Sequence, residues 1–494
     1  MTIKKLLFVF FVFIFIFSTL SITAANSGQI RVTVDGVYVT FPNNINPENI
    51  EGRVLVPARG VFEMLGFNVQ WDSENRRVTL TRHDYEIILN IDSTTFTVNG
   101  ATHQLEVPAQ ILHGGTTFLP LRHPLESIGY TLEWNGSTQT VQISTSHSLT
   151  WVHGFYAFAS FGQRALIHDM DSVSFGWSVM EWDEENGAIL NTSALGGNEW
   201  RIPEGYELIA NYPRANGART NLNVFMDTSI GLNGLITCEN SRSEAVTAII
   251  TELTRDYDGI GQNPFDGVTI NFEGLRGESA KTDFTAFLTE LSVHLRTNGQ
   301  TLYVTVHPAT VDGIYFDGYD YRAIGNLADR VILMTHDYHS RSMEGFVGTE
   351  WQLHAALTPI EEIRRALESI TDPETGVEDR NKIAMAFSFQ NVGWFIDENN
   401  KVSSPNPIIV STETVLTRMA QHDTVFGWSE TYRNPYIIYT TENNERVFLW
   451  YQNSQSVAEK LQLARQFGIT GASVWRMGII PNEPDWDVWE NFTK

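Results

Sequence analysis

The chain has 494 residues and sets 33 Lys+Arg against 58 Asp+Glu, a formal net charge of −25. Hydrophobic residues at 42% and aromatics at 12% exclude a globally disordered chain. The acidity excludes nucleic acid or an anionic membrane surface as the main partner, because both need a basic face. The single cysteine, Cys238, excludes a disulfide framework and any cysteine-rich metal site.

Residues 1–25 read as a signal peptide. Lys4 and Lys5 precede an unbroken apolar run from Leu6 to Phe17, and Thr23-Ala24-Ala25 offers small residues for cleavage. Cleavage is the expectation. A retained anchor is the alternative, since the apolar run reaches Ile22 and approaches the lower limit for a bilayer span. No later stretch is long and apolar enough to cross a membrane. A cleaved product is therefore expected outside the cell, free of membrane.

Residues 28–146 hold a duplication. Pro57 and Pro120, Arg59 and Arg122, Gly66 and Gly129, Trp71 and Trp134, and Val78 and Val141 are each 63 residues apart. Each unit predicts a strand, a Pro-Xaa-Arg turn, a short helix stopped by Gly, and a hairpin. The segment carries seven Lys+Arg and twelve Asp+Glu, a net of −5, so most of the acidity lies further along. The doubled Leu-Val-Pro-Xaa-Arg and Leu-Gly-Xaa-Xaa-Val-Xaa-Trp patterns resemble the copper amine oxidase N-terminal-like module of secreted Gram-positive proteins. The resemblance implies a spacer or a wall-associating role, and no copper. His83, His103, His113 and His123 do not share a face at ligand spacing, so no metal or cofactor is expected. Arg59 and Arg122 read as structural donors at the turns, with a grip on an anionic wall polymer as the alternative.

From residue 150 to the end, apolar runs alternate with helix patterns. Strand candidates are Val152–Phe158, Val173–Met180, Leu208–Asn211, Val268–Phe272, Leu302–Val306, Val331–Met334, Ile383–Phe389 and Ala472–Trp475. Cys238 follows a strand-like Leu235-Ile236 and is expected to be buried and inert. Phe284, Phe287, Leu288, Leu291 and Leu295 follow a helical period that stops at Asn298-Gly299. Thr358-Pro359-Ile360-Glu361 predicts a Thr-capped helix start. Val457, Leu461 and Ala464 lead to another stop at Phe467-Gly468. Eight strands alternating with helices predict an α/β fold, a (β/α)8 barrel over 150–494. Residues from about 391 to 453 break the rhythm and predict a β-rich insertion between the last two strands.

The chemistry gathers on one strand, Asp266-Gly267-Val268-Thr269-Ile270-Asn271-Phe272-Glu273. Alternation puts Val268, Ile270 and Phe272 on one face and Thr269, Asn271 and Glu273 on the other. Glu273 then stands at the strand's C-terminal end, where barrel sites are built. This octapeptide resembles the signature of glycoside hydrolase family 18, Asp-Gly-Xaa-Asp-Xaa-Asp-Xaa-Glu. Met334-Thr335-His336-Asp337-Tyr338 is similar to that family's sixth-strand pattern, and Gly471-Ala472-Ser473-Val474-Trp475 to its eighth. Pro435-Tyr436 and Trp450-Tyr451 resemble the insertion of spore-cortex and wall-lytic members.

The resemblance implies substrate-assisted retaining hydrolysis of β-1,4 links next to N-acetylglucosamine. Glu273 would be the acid. Asn271 takes the position of the residue that holds the substrate's acetamido group, and Asp337 would orient that group or tune the acid. Trp475 would floor the sugar, with Tyr338, His336, Thr269, Asp266 and Met334 as further substrate-binding candidates. Asn271, Thr269 and His336 depart from the family pattern. Asn still accepts a hydrogen bond but supplies no charge against a cationic intermediate, a loss of about 3 kcal/mol.

Two readings therefore stand: a secreted hydrolase acting on peptidoglycan or chitin-like glycans, and a carbohydrate-binding barrel that has lost catalysis. Trp177, Trp394, Trp428 and Trp475 are the candidate sugar platforms for the second. A purely structural surface protein is a third, weaker reading.

Overall fold

The computed structural model describes residues 29–41, 45–82, 85–145, 149–194, 198–257, 263–311 and 314–493. The expected signal peptide, residues 1–25, and His83 lie outside the described residues. Among those residues, no helix is long and apolar enough to cross a membrane.

Eight parallel strands close into a barrel: β1 (Trp151–Tyr156), β2 (Ser172–Asp183), β3 (Arg219–Asp227), β4 (Gly267–Glu273), β5 (Thr301–Val306), β6 (Arg330–Met334), β7 (Ile383–Ser388) and β8 (Gly471–Trp475). Each pairs with its successor, and Trp151 opposite Gly471 joins β1 to β8. Alternation decides which side chains reach the axis. On β4, Val268, Ile270 and Phe272 are fully buried and share one core with Phe284, Phe287 and Leu291 of the helix Gly277–Thr297. Burying each such side chain stabilises the fold by about 1.5–3 kcal/mol. Thr269, Asn271 and Glu273 point the other way.

The third strand is not where the apolar runs put it. Leu208–Asn211 belongs to the helix Tyr206–Ala215, with Leu208 81% exposed. The strand is Arg219–Asp227, in which Leu222, Val224 and Met226 face the helices while Asn221 and Asn223 are buried on the other face. The asparagines interrupt the run. Asn221 is tolerated because the barrel layers bond one another: it donates to the Val268 carbonyl at 3.2 Å and accepts from Thr301 at 3.0 Å.

Two smaller expectations also fail. Leu235 and Ile236 are helical, in Leu232–Thr237, and Cys238 is exposed at the start of the helix Glu239–Thr254. The Ser241 and Asn240 amides, freed at that helix start, hold its thiol below the ordinary range. Thr358 does not cap the helix Ile360–Ile370. Its hydroxyl is buried against Asn434 and Gln452 instead.

Between β7 and β8, strands Asn391–Ile396, Ile408–Val410, Val425–Ser429, Asn434–Thr440 and Arg446–Trp450 form an antiparallel sheet. Trp394 and Trp450 are buried in a core of its own. The N-terminal module likewise has its own core. Its two repeats meet where Arg53–Pro57 pairs antiparallel with Thr116–Pro120. Gly66 and Gly129 end the repeat helices with φ of +80° and +90°, which other residues seldom adopt. Arg122 donates to Glu126 at 2.9 Å and to the Leu132 carbonyl at 3.3 Å, and Arg59 lies 3.6 Å from Glu63. The module rests on the helix Ser454–Gln466. There Arg465 pairs with Asp35 at 3.0 Å, and the Gln466 amide donates to the Met64 carbonyl.

Candidate active site

The C-terminal ends of the barrel strands surround a cavity of about 1250 Å³. Strand β4 delivers Asn271 and Glu273 to it, β5 delivers Thr305, β6 delivers Met334, and β8 delivers Trp475. His307, His336 and Asp337 enter from the turns that follow β5 and β6. The end of β4 is fixed from outside the barrel, where the buried Tyr319 hydroxyl donates to the Phe272 carbonyl at 2.7 Å.

Burial raises the Glu273 carboxyl above its usual range. A hydrogen bond from Asn271 and the His336 ring oppose this, while Asp227 and Asp337 add to it. Glu273 is thus biased toward the protonated form. The Asn271 carbonyl accepts from the Thr305 hydroxyl at 2.5 Å, both side chains being buried, so the amide is held from one side by Thr305 and faces Glu273 on the other. His307 Nε2 lies 4.0 Å from Glu273. Burial, followed by the His336, Arg341 and Arg276 charges, pushes the His307 pKa down to about 4, and its ring stacks on Phe316 at 4.2 Å. Burial also works against the Asp337 carboxylate. The His336 ring 2.9 Å away nevertheless holds it below its usual range, helped by His339 and Arg341.

An apolar wall faces these groups. Trp475 is partly exposed, lies edge-on to Phe155 at 5.0 Å, and stacks loosely with Trp200 at 6.1 Å and 23°. Trp200 in turn stacks on Phe225 at 5.1 Å. Beyond Trp475 the cleft continues into a second hollow of about 750 Å³, lined by Phe158, Glu199, Trp200 and Arg476 among others. Aromatic faces opposite a carboxyl biased toward protonation and an anchored amide make a site for a sugar ring that carries an amide substituent.

Six of the nine candidates meet in this cavity: Glu273, Asn271, Asp337, Trp475, His336 and Met334. Three do not. Asp266 lies at the opposite end of β4, roughly 20 Å of strand away. It accepts from Arg214 at 2.9 Å, from the Thr220 amide at 2.9 Å and from the Thr220 hydroxyl at 3.0 Å, which makes it a tie between strand starts. Thr269 is fully buried one layer below the cavity and is bonded to Ser174 at 2.6 Å. Tyr338 follows Asp337, whose backbone turns at φ +62°, and is buried in the main core rather than aimed at the cleft. Trp177 and Trp394 are core residues. Sequence reasoning missed Trp200, Thr305 and His307. Trp200 did leave a signal, an indole set among polar residues in Asn198-Glu199-Trp200-Arg201 after the second strand.

The family described as Glycosyl hydrolases family 18 matches residues 126–479, and Copper amine oxidase N-terminal domain matches residues 33–147. The chain belongs to glycosyl hydrolases family 18. Members of this family act on glycans that contain N-acetylglucosamine. The chain is 26% identical over 230 residues to the cortical fragment-lytic enzyme of Bacillus anthracis, a match covering 46% of this chain and 49% of that one. It spans about half the length of the curated relatives it matches. Its fold is similar to the spore cortex-lytic enzyme SleL of Bacillus cereus, at a TM-score of 0.52, 18% identity, and coverage of 71% and 74%. It is also similar to a chitinase from Chromobacterium violaceum, at a TM-score of 0.52, 15% identity, and coverage of 69% and 97%. Against the family signature, the two departures on β4 differ in consequence. Thr269 is a packing residue below the cavity, whereas Asn271 sits in the cavity beside Glu273.

Proposed function

We propose that this chain is a retaining endoglycosidase that cleaves β-1,4 links next to N-acetylglucosamine in peptidoglycan or a chitin-like glycan. The observation that carries this reading is Glu273, a carboxyl raised by burial at a barrel strand end, facing a cleft walled by Trp475. Glu273 protonates the glycosidic oxygen as the leaving group departs. The acetamido oxygen of the substrate itself attacks the anomeric carbon. Asn271 accepts the acetamido N–H on the second lone pair of its carbonyl, the first being taken by Thr305. Asp337 supplies negative charge on the same side of the cavity. After the aglycone leaves, Glu273 takes a proton from water, which opens the cyclic intermediate with retention.

A second reading, a glycan-binding barrel with little turnover, is favoured by the neutrality of Asn271 next to a cationic intermediate. Mass spectrometry of digests separates the two. Fragments with reducing-end N-acetylglucosamine from wild type and not from Glu273→Gln support the enzyme. Binding without fragments from either protein supports the lectin. We further propose export and wall association through the N-terminal module. Fractionation of cells expressing the full chain tests this: recovery in the cytoplasm would exclude it.

A further inference from the structure

The two repeats share a feature that packing does not require. Val78 and Val141 are 1% and 6% exposed, as matched core positions should be. The residues paired with them across each hairpin, Trp71 and Trp134, are 43% and 45% exposed. A half-exposed indole forgoes apolar burial that the paired valine obtains. Its retention at one register in both repeats points to a use for the flat face.

At Trp134 the indole borders a cavity of about 850 Å³ that shares no lining residue with the catalytic cleft. Its other walls include Arg53, Glu106, Arg122 and His123. Arg53 is tethered to Glu106 and, at 3.1 Å, to the Gly52 carbonyl. Arg122 is tethered to Glu126 and Leu132. A guanidinium has five N–H donors, so each keeps donors to spare in a fixed orientation. With Glu133 counted, the lining arginines and glutamates balance, a neutral patch on a chain of net charge −25. A flat apolar face bordered by preset donors and carboxylates suits a neutral ligand with one C–H face and a rim of hydroxyl and amide groups.

We propose that the cavity beside Trp134 is a second glycan site, which holds one pyranose ring of a β-linked N-acetylated polysaccharide and tethers the barrel to an insoluble strand. The polymer's identity rests on the function proposed for the barrel. Tethering raises the local concentration of cleavable links without any change in the cleft.

The test uses the full chain carrying Glu273→Gln, so that the polymer stays intact, in cosedimentation with purified peptidoglycan sacculi and with β-chitin. Trp134→Ala is expected to weaken binding to at least one polymer about tenfold, while Trp134→Phe, which keeps an aromatic plate, restores it. Equal binding by Trp134→Ala and its parent overturns the proposal, as does a parent that binds neither polymer. Should Trp134→Ala lower the melting temperature, Arg53→Gln removes an exposed donor instead. It must also weaken binding, and unchanged binding overturns the site. The barrel reading fails separately. If wild type cleaves neither polymer while Trp134→Ala still loses binding, the second site stands alone; cleavage with undiminished Trp134→Ala binding leaves only the barrel.

Discussion

In the proposed mechanism Asn271 and Glu273 divide the stabilising and acid roles, and the hydrogen bond between them ties each to the other. Glu273→Gln is expected to lower kcat about 10²–10⁴-fold, the usual worth of a general acid, measured on chito-oligosaccharides. Asn271→Asp is expected to raise kcat about 10–100-fold by restoring charge opposite the cationic intermediate. Unchanged or lower turnover would mean that the site is built around the amide. The pH profile gives a second readout. Glu273 must be protonated to act, and burial raises its pKa, so the rate falls as pH rises through that raised value. Asn271→Asp removes the amide donor that opposes the shift and adds a like charge. The alkaline limb must therefore move to higher pH. Thr305→Val should lower kcat about tenfold by freeing the amide, with Thr305→Ser restoring it. Glu273, Asn271, His336, Asp337 and Trp475 were legible because each lies inside a short local pattern at a strand end. Thr305 and His307 were not, because each comes from a segment whose own pattern carries no chemistry, and Trp200 left only an indole among polar residues.

Strands carry a polarity that single residues hide, and Asp266 shows the consequence. It shares the β4 motif with Glu273 yet lies at the other end of the barrel, bonded to Arg214 and Thr220. Asp266→Ala should cost about 2 kcal/mol of stability in denaturant titration and leave kcat per folded molecule unchanged. A parallel loss of kcat would return Asp266 to the site. The helix Ser454–Gln466 makes a pH prediction. Lys460 is fully buried, donating to the Arg433 carbonyl at 2.8 Å, and burial pushes its pKa down to about 7. The folded state thus disfavours the charged form. The penalty is absent above the ordinary lysine range near 10.5, grows as pH falls, and is complete below about 7. Lys460→Met should therefore flatten the rise in melting temperature between pH 7 and 10. A variant curve parallel to wild type would contradict this. The third strand was missed at this same scale. Asn221 and Asn223 look like breaks in an apolar run, and only barrel closure gives Asn221 its partners on the neighbouring strands.

Across the whole molecule, the core of the N-terminal module and the core of the barrel are joined at the helix Ser454–Gln466. Arg465 and Asp35 meet there at 3.0 Å, 15% and 17% exposed, and Asp35 also accepts from the Thr145 amide at 2.9 Å. Arg465→Met should remove about 2 kcal/mol of coupling and split calorimetric unfolding into two transitions. A single undivided transition would show that other contacts hold the module. The duplication, the alternation of strands and helices, and the strand that ends in Glu273 are all written in the residue order alone. These are periodic or local patterns, written into neighbouring residues. Folding alone puts Asp266, Thr269 and Tyr338 outside the cleft and Trp200 and Thr305 inside it, and sets Trp134 beside a cavity. Barrel closure and module packing bring together residues tens to hundreds of positions apart, and no local pattern records those meetings.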